Sequence, residues 1–419
     1  MEVSNVYFKT GSHCYIVQGE RQASLYDLSE NKMLRISPAD ALMLLELNRG
    51  VPVEQVDNIN YILLSQLIDQ GMGNYYSHNA YIEKVRFGLP PSIRDFAKNR
   101  VRISNLYLNI NDECNLDCSF CNTDSVVHRM TGCKRYDGFN QNNLMEEKDY
   151  RIVLQQSHKL GCRSLHIIGG EPLLQWDLLS VILAEARQVG YSNIFIYTNL
   201  MDVGELNWEE LAGASLVIHA SSHNQDLTNR MIGNHPDFSN FYENMNKLKN
   251  TGISFYFNVV LNKINYIFRE EIVDFYKHFN PLGMQLSFIH EIGEDPVYNE
   301  LLFSDKGTQS CFTDLSFFHN VDFHPCLNGK LSVFRNGDVT VCPMMRNETI
   351  GNVLKDSFKR IADQRDYQEY WTYTLDKVDS CRSCSSRYAC SDCRAIESSA
   401  GGSLSSKVYC KQALKESLV

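Results

Sequence analysis

Between residues 101 and 295, apolar runs of strand length recur, separated by stretches with helical periodicity. VRISNLYLNIN alternates apolar and polar side chains over its latter half, as a half-buried strand does. SLHIIGG, NIFIYTNL, SLVIHASS, ISFYFNVVLN and MQLSFIHEIG follow as short apolar strands. Between them lie an amphipathic stretch over 178–189 and the run FYENMNKLKNTG, which closes on a glycine as helices commonly do. Six strands alternating with helical segments predict an α/β fold, a parallel sheet with helices outside it. In such a sheet, ligands are expected at the carboxyl ends of the strands.

The two ends of the chain read differently. VYFKTG, CYIVQG, ASLYDL and KMLRIS are short strands separated by polar turns. SPADALMLLELNRG predicts a helix with Ser37 as cap, Pro38 in the first position and glycine after its end. A second apolar-periodic stretch, QVDNINYILLSQLIDQG, leads into the strand GNYYSH, so the first ninety residues predict a small α+β unit. RFGLPPSIRDFAKNRV, with its paired prolines, reads as a linker. Beyond residue 300, LSVFRNGDVTVC is two alternating runs around Asn-Gly, the pattern of a hairpin.

Composition narrows the class. A chain of 419 residues exceeds what one core usually supports, and 43% hydrophobic with 21% charged residues describes an ordinary globular protein. A net charge of -10 argues against a general nucleic-acid binder. No apolar run is long enough to span a bilayer, and MEVSNVYFKTGSH lacks the basic start and apolar core of a signal peptide, so a cytoplasmic protein off the membrane is expected. The 14 cysteines cluster at short spacings, which in a large chain without a signal points to metal ligands rather than disulfides.

The first cluster follows the first of the six strands. Cys114, Cys118 and Cys121 form C-x3-C-x2-C in ECNLDCSFC. Three soft thiolates at this spacing suit an iron-sulfur cluster with one iron left free, a zinc knuckle being the alternative. About fifty residues on, the strand SLHII runs into Gly169, Gly170, Glu171 and Pro172. This triad with Phe120 before its last cysteine, followed by the GGEP turn, resembles the radical S-adenosylmethionine (SAM) superfamily. The resemblance implies a partial (βα)6 barrel, a [4Fe-4S] cluster on Cys114, Cys118 and Cys121, and SAM chelating the open iron, with Gly169, Gly170 and Glu171 at its amino group. By position at strand ends, Thr198, Asn199, Ser221 or Ser222, and Asn258 are candidate cofactor contacts. Many relatives place an aspartate near Ser222, which is absent here.

A second array occupies the C-terminal third. Cys326 and Cys342 flank the hairpin, CRSCSSRYACSDC supplies Cys381, Cys384, Cys390 and Cys393, and Cys410 follows. The arrangement resembles the SPASM extension of radical SAM enzymes, which binds two auxiliary [4Fe-4S] clusters. The resemblance implies Cys326, Cys342 and Cys393 on the first, with Cys311 as the expected fourth ligand, and Cys381, Cys384, Cys390 and Cys410 on the second. Some relatives leave the fourth position open to substrate. Two residues, Ser391 and Asp392, separate the last pair where the family pattern has three, so local ligand geometry is expected to differ. Zinc is again the alternative, though a single four-thiolate site would not use Cys326, Cys342 and Cys410 as well. Cys14, Cys133 and Cys162 remain as small buried hydrophobes.

The first ninety residues resemble the winged-helix leader-recognition domains fused to peptide-modifying radical enzymes, which bind a leader peptide as an added strand. The expected organisation is thus a leader-recognition-like unit over 1–90, a linker over 91–100, a radical SAM barrel over 101–300 and a SPASM domain over 301–419. The resemblance implies a maturase of ribosomally made peptides. It would install a thioether, a carbon-carbon or carbon-oxygen crosslink or an epimerised residue, with three [4Fe-4S] clusters, SAM, a precursor peptide and a reductant such as flavodoxin or ferredoxin. Formylglycine-forming sulfatase maturation is the alternative, weakened because Pro343 stands where those relatives carry an aspartate. An iron-sulfur electron-transfer or peptide-binding protein without catalysis is the alternative of another class.

Overall fold

The computed structural model describes residues 5–85, 102–121, 126–128, 143–291, 312–390, 392–399 and 403–407. Expectations for Cys133, Cys311, Cys410 and the linker over 91–100 fall outside these residues.

The N-terminal part pairs β1 (Tyr7–Thr10) with β5 (Gly73–Tyr76), and stacks β2 (Cys14–Val17), β3 (Ala23–Asp27) and β4 (Lys32–Ile36) into an antiparallel sheet. Helix α1 (Pro38–Arg49) begins where Ser37 Oγ accepts the Asp40 N–H at 3.0 Å and ends at Gly50, whose φ of 98° is left-handed. With α2 (Tyr61–Asp69) it buries Leu44, Leu47, Leu64 and Leu67 against Phe8 and Leu25. Cys14 and Cys162 are fully buried and burial raises both thiols, Cys14 to about 12 and Cys162 to about 11, the state of inert core cysteines.

The main sheet has ten strands. Its six central ones are β6 (Asn105–Asn111), β8 (Ser164–Gly169), β9 (Asn193–Thr198), β10 (Ser215–Ala220), β11 (Ser254–Leu261) and β12 (Gly283–Glu291), parallel and adjacent in chain order. These are the six runs the apolar pattern marks. Alternation assigns two faces: Leu106, Leu108, Leu165, Ile167 and Ile196 join the core against helices such as α3 (Glu147–Lys159) and α4 (Trp176–Val189). Tyr107, Ile168 and Tyr197 face the other way, with Tyr107 stacked on His166 at 4.3 Å and His166 on Phe195 at 4.9 Å.

The edges carry two additions. Short β7 (Val126–His128) runs antiparallel to β12. At the other edge the C-terminal hairpin, β13 (Lys330–Val333) and β14 (Asp338–Thr340), continues the barrel sheet: β13 lies parallel to β6 and β15 (Thr349–Asn352) pairs outside β14. Local pattern forecast the hairpin but not its docking, which depends on contacts more than two hundred residues apart such as Ser104 N–H to Gly329 O at 2.8 Å.

The N-terminal sheet also grips the second cysteine array. Tyr26 donates its hydroxyl to Ser385 O at 2.9 Å, Ser24 bonds Ser385 Oγ at 2.9 Å, and Glu20 N–H reaches Ser383 O at 2.9 Å. Phe312, Phe317 and Tyr388 pack around the buried Tyr26 ring and its neighbour Tyr15.

Candidate active site

The loop leaving β6 carries Cys114, Cys118 and Cys121, and it is stapled from both sides. Asn115 Nδ2 donates to Met201 O at 2.6 Å and Asp202 O at 3.0 Å, while Asn199 Nδ2 donates to Asn115 Oδ1 at 3.0 Å. On the other side Ser119 N–H reaches Met231 O at 3.1 Å and Gly233 N–H reaches Asp117 O at 2.7 Å. Cys121 N–H closes a turn on Cys118 O at 3.0 Å, and Leu116 N–H points at Cys114 Sγ at 3.4 Å. Backbone donors toward such sulfurs favour the thiolate, the form that binds metal.

The GGE turn lies against the start of that loop. A Cβ on Gly170 would sit 2.0 Å from Glu113 O, and one on Gly169 would sit 2.2 Å from Asn111 Oδ1. These glycines are therefore required by contact with the chain itself, immediately before Cys114, besides any approach to a ligand. Glu171 is fully buried, and its carboxylate accepts Asn199 N–H at 2.7 Å and Leu173 N–H at 3.0 Å. Burial pushes its pKa up to about 7, against the lowering pull of Asn199, Leu173 and Thr198. Its carbonyl accepts Asn111 Nδ2 at 2.8 Å. Glu171 therefore ties the GGE turn, the β6 loop and the turn after β9 into one unit.

Cys114, Cys118 and Cys121 open on one cavity, shared with Phe120, Gly170, Asn199, Met201, His219, Ser221 and Tyr276. About 570 Å³ of space not filled by protein atoms lies within it, its open mouth included. Three of the remaining candidates are placed behind this wall. Thr198 Oγ1 accepts Leu200 N–H at 2.9 Å, Ser222 Oγ bonds Thr228 Oγ1 at 2.6 Å, and Asn258 lines a second cavity with His166, Tyr197 and Gln285.

His219 is the residue that sequence reasoning missed, because a histidine inside SLVIHASS reads as an ordinary inward strand position. Ser287 donates to Asn258 Oδ1 at 2.5 Å, which turns Asn258 Nδ2 toward His219 Nδ1 at 2.9 Å. That relay leaves the proton of the neutral ring on Nε2, which has no partner among the described residues. Burial holds the ring's pKa down at about 3, so it stays neutral at physiological pH.

The second array is gathered as well. Burial pushes the Cys342 thiol up to about 12; the Lys330 charge opposes this, and the Cys326 and Cys393 sulfurs add to it. Lys330 Nζ lies 3.2 Å from Cys326 Sγ. Asp392, inside the shortened spacer, is the hub of a buried charge network. Its carboxylate meets His324 Nε2 at 3.0 Å, Arg394 Nη2 at 2.6 Å and Lys407 Nζ at 2.7 Å. His324 Nδ1 accepts the Cys326 N–H at 3.0 Å, and Arg394 Nη1 donates to Leu404 O and Ser406 O. One carboxylate thus draws together the segment before Cys326, the loop Cys390–Cys393 and the stretch leading toward Cys410. Among the described residues, no three His, Cys, Asp or Glu side chains converge tightly enough to hold a single metal ion. Three thiols spread along one loop, Cys114 among them met by the Leu116 N–H, suit the larger span of an iron-sulfur cluster.

Two family models match these two regions: the radical SAM superfamily over residues 108–276, and the iron-sulfur cluster-binding SPASM domain over 325–394. Residues 108–276 are thus a radical SAM domain and residues 325–394 a SPASM domain. Curated relatives include the GTP 3',8-cyclase of Aquifex aeolicus, 27% identical over 191 residues, or 44% of this chain and 55% of that protein. A probable GTP 3',8-cyclase of Pyrobaculum aerophilum is 28% identical over 199 residues, 46% of this chain and 60% of that protein. The chain thus spans little more than half the length of these relatives. Among solved structures, Streptococcus suis SuiB bound to precursor peptide SuiA superposes with a TM-score of 0.55 at 17% identity, covering 93% of this chain and 96% of that one. Native anSMEcpe with bound AdoMet gives a TM-score of 0.55 at 14% identity, covering 74% and 95%. At these identities the likeness concerns the fold. The SPASM model describes an iron-sulfur cluster-binding domain, and SuiB has also been solved bound to S-adenosylmethionine, at a TM-score of 0.54 and 16% identity. Among the described residues, no helix is long and apolar enough to cross a membrane.

Proposed function

We propose that this radical SAM–SPASM enzyme modifies a ribosomally made precursor peptide. The observation that carries the reading is the placement of Cys114, Cys118 and Cys121 at the carboxyl end of β6, opening on a cavity that also contains Gly170 and Asn199. Those thiolates would hold a [4Fe-4S] cluster whose free iron takes the methionine end of SAM. When bound, such a cluster supplies the electron that cleaves SAM into methionine and a 5′-deoxyadenosyl radical able to take hydrogen from a substrate carbon. The chain's own part is to orient and to exclude water. Glu171, Asn115 and Asn199 fix the loop, Phe120, Met201 and Tyr276 wall the cavity with apolar surface, and His219 would present its Nε2–H to the ligand.

Three clusters are proposed in all: the first on Cys114, Cys118 and Cys121, one on Cys326, Cys342 and Cys393 with Cys311, and one on Cys381, Cys384, Cys390 and Cys410. A peptide substrate is supported by the extent of the likeness to SuiB, which runs through the N-terminal and C-terminal parts, whereas the likeness to the nucleotide cyclases covers under half of the chain. Residues 1–90 would bind the leader and an external flavodoxin or ferredoxin would supply electrons. Anaerobic incubation of the reconstituted protein with dithionite, SAM and a candidate precursor tests the reading. It expects 5′-deoxyadenosine and a mass change in the peptide. Absence of 5′-deoxyadenosine overturns the catalytic reading, and its formation without any peptide change overturns the substrate.

A further inference from the structure

Lys330 is a buried cation in an unusual setting. It begins β13, the strand by which the C-terminal hairpin joins the barrel, with Asn105 of β6 as its pairing partner. Its side chain runs inward: the ammonium lies 5.1 Å from the centroid of the Tyr107 ring and 3.2 Å from Cys326 Sγ, and the residue is 7% exposed. The Trp371 indole N–H donates to Lys330 O at 3.1 Å and fixes the backbone at that point. Among the described residues, no carboxylate pairs with this ammonium. An ammonium taken out of water costs several kcal/mol unless an opposite charge receives it. The negative partners within its reach are the sulfurs of Cys326 and Cys342, with Tyr107 beneath. The other side chains it influences electrostatically are His166 and His324, and an imidazole carries no negative charge to offer it.

We propose that Lys330 is the counter-cation of the auxiliary cluster on Cys326, Cys342 and Cys393, a positioning residue that holds Cys326 Sγ and raises that cluster's reduction potential. This rests on the ligand set given under the proposed function. The physical ground is general: a thiolate-ligated cluster is an anion that becomes more negative on reduction, and a fixed positive charge hydrogen-bonded to a ligand sulfur stabilises the reduced form more than the oxidised. A lysine stem running past the Tyr107 ring also places this charge between the cluster and the interior face of the barrel, where Tyr107 stacks on His166.

Redox titration followed by electron paramagnetic resonance, with iron counting, tests this on the full-length reconstituted enzyme. Lys330→Met and Lys330→Arg are compared with wild type, and Cys326→Ser identifies the signal of the cluster concerned. The expected result is a more negative midpoint for that signal alone in Lys330→Met, with Lys330→Arg close to wild type. Loss of that cluster's iron in Lys330→Met with retention in Lys330→Arg supports the same role, since charge is what the two variants do not share. An unchanged midpoint in Lys330→Met at full iron content overturns the proposal, as does equal iron loss in both variants. A Cys326→Ser protein with unaltered iron and spectrum overturns the ligand set itself, and the inference with it.

Discussion

Asn199 donates its backbone N–H to the buried carboxylate of Glu171 at 2.7 Å, so the turn after β9 is held by the turn after β8. The same Asn199 reaches Asn115 with its side chain, one residue from Cys114. The geometry of the first cysteine loop therefore depends on a group that never faces solvent.

That group makes stability depend on pH. The Glu171 pKa rises from the ordinary 4.5 of a solvated glutamate to about 7 in the fold, so between these values the folded chain holds a proton that the unfolded chain has lost. The contribution is fully present below pH 4.5 and is lost as pH rises through 7, to the extent of roughly 3 kcal/mol. Urea unfolding of wild type and Glu171→Gln across this window checks it: the difference between the two should change with pH in that direction. Parallel curves refute it.

Replacing Cys114, Cys118 or Cys121 with serine is expected to remove about four irons per chain and to abolish 5′-deoxyadenosine formation, leaving the other iron in place. Iron analysis beside a cleavage assay reads both. Retention of cleavage in any of the three variants would show that the triad is not the initiating site.

His219→Leu is expected to weaken SAM binding about tenfold by loss of one buried donor, roughly 1.4 kcal/mol. Asn258→Asp should act through the same ring, because a carboxylate would draw the proton to Nδ1 and leave Nε2 an acceptor. Anaerobic equilibrium titration measures both affinities, and unchanged values in both variants would exclude the ring from the cofactor site.

Asp392→Ala should be the most damaging substitution in the C-terminal part. It strips the buried Arg394 of its paired carboxylate and leaves Lys407 with Glu397 alone, at 3.0 Å, a loss of about 3–5 kcal/mol. Denaturation and iron content should fall together, and a variant that keeps wild-type stability would show that the network is not structural.

The six barrel strands were legible because each alternates or fills with apolar residues over its own length, a property that needs no distant partner. The cysteine loops were legible because thiol spacing is local. What local pattern could not show is what a distant partner decides. Gly170 is shaped by Glu113, and Thr198 and Ser222 turn inward to Leu200 and Thr228, although all three sit at or just after strand ends. His219 is distinguished from any other strand histidine by Asn258, thirty-nine residues on, and Lys330 by the ring of Tyr107. Asp392 looked like a spacing irregularity, and its meaning is given by His324, Arg394 and Lys407.

The clasp of Ser24 and Tyr26 on Ser385 limits how the molecule can be taken apart. The N-terminal sheet covers the turn that carries Cys381 and Cys384, so trimming or exchanging it would bare that turn and its thiols to solvent. A graft that keeps a tyrosine and a serine at these two positions would preserve the seal, leaving the strands that face away from it open to change.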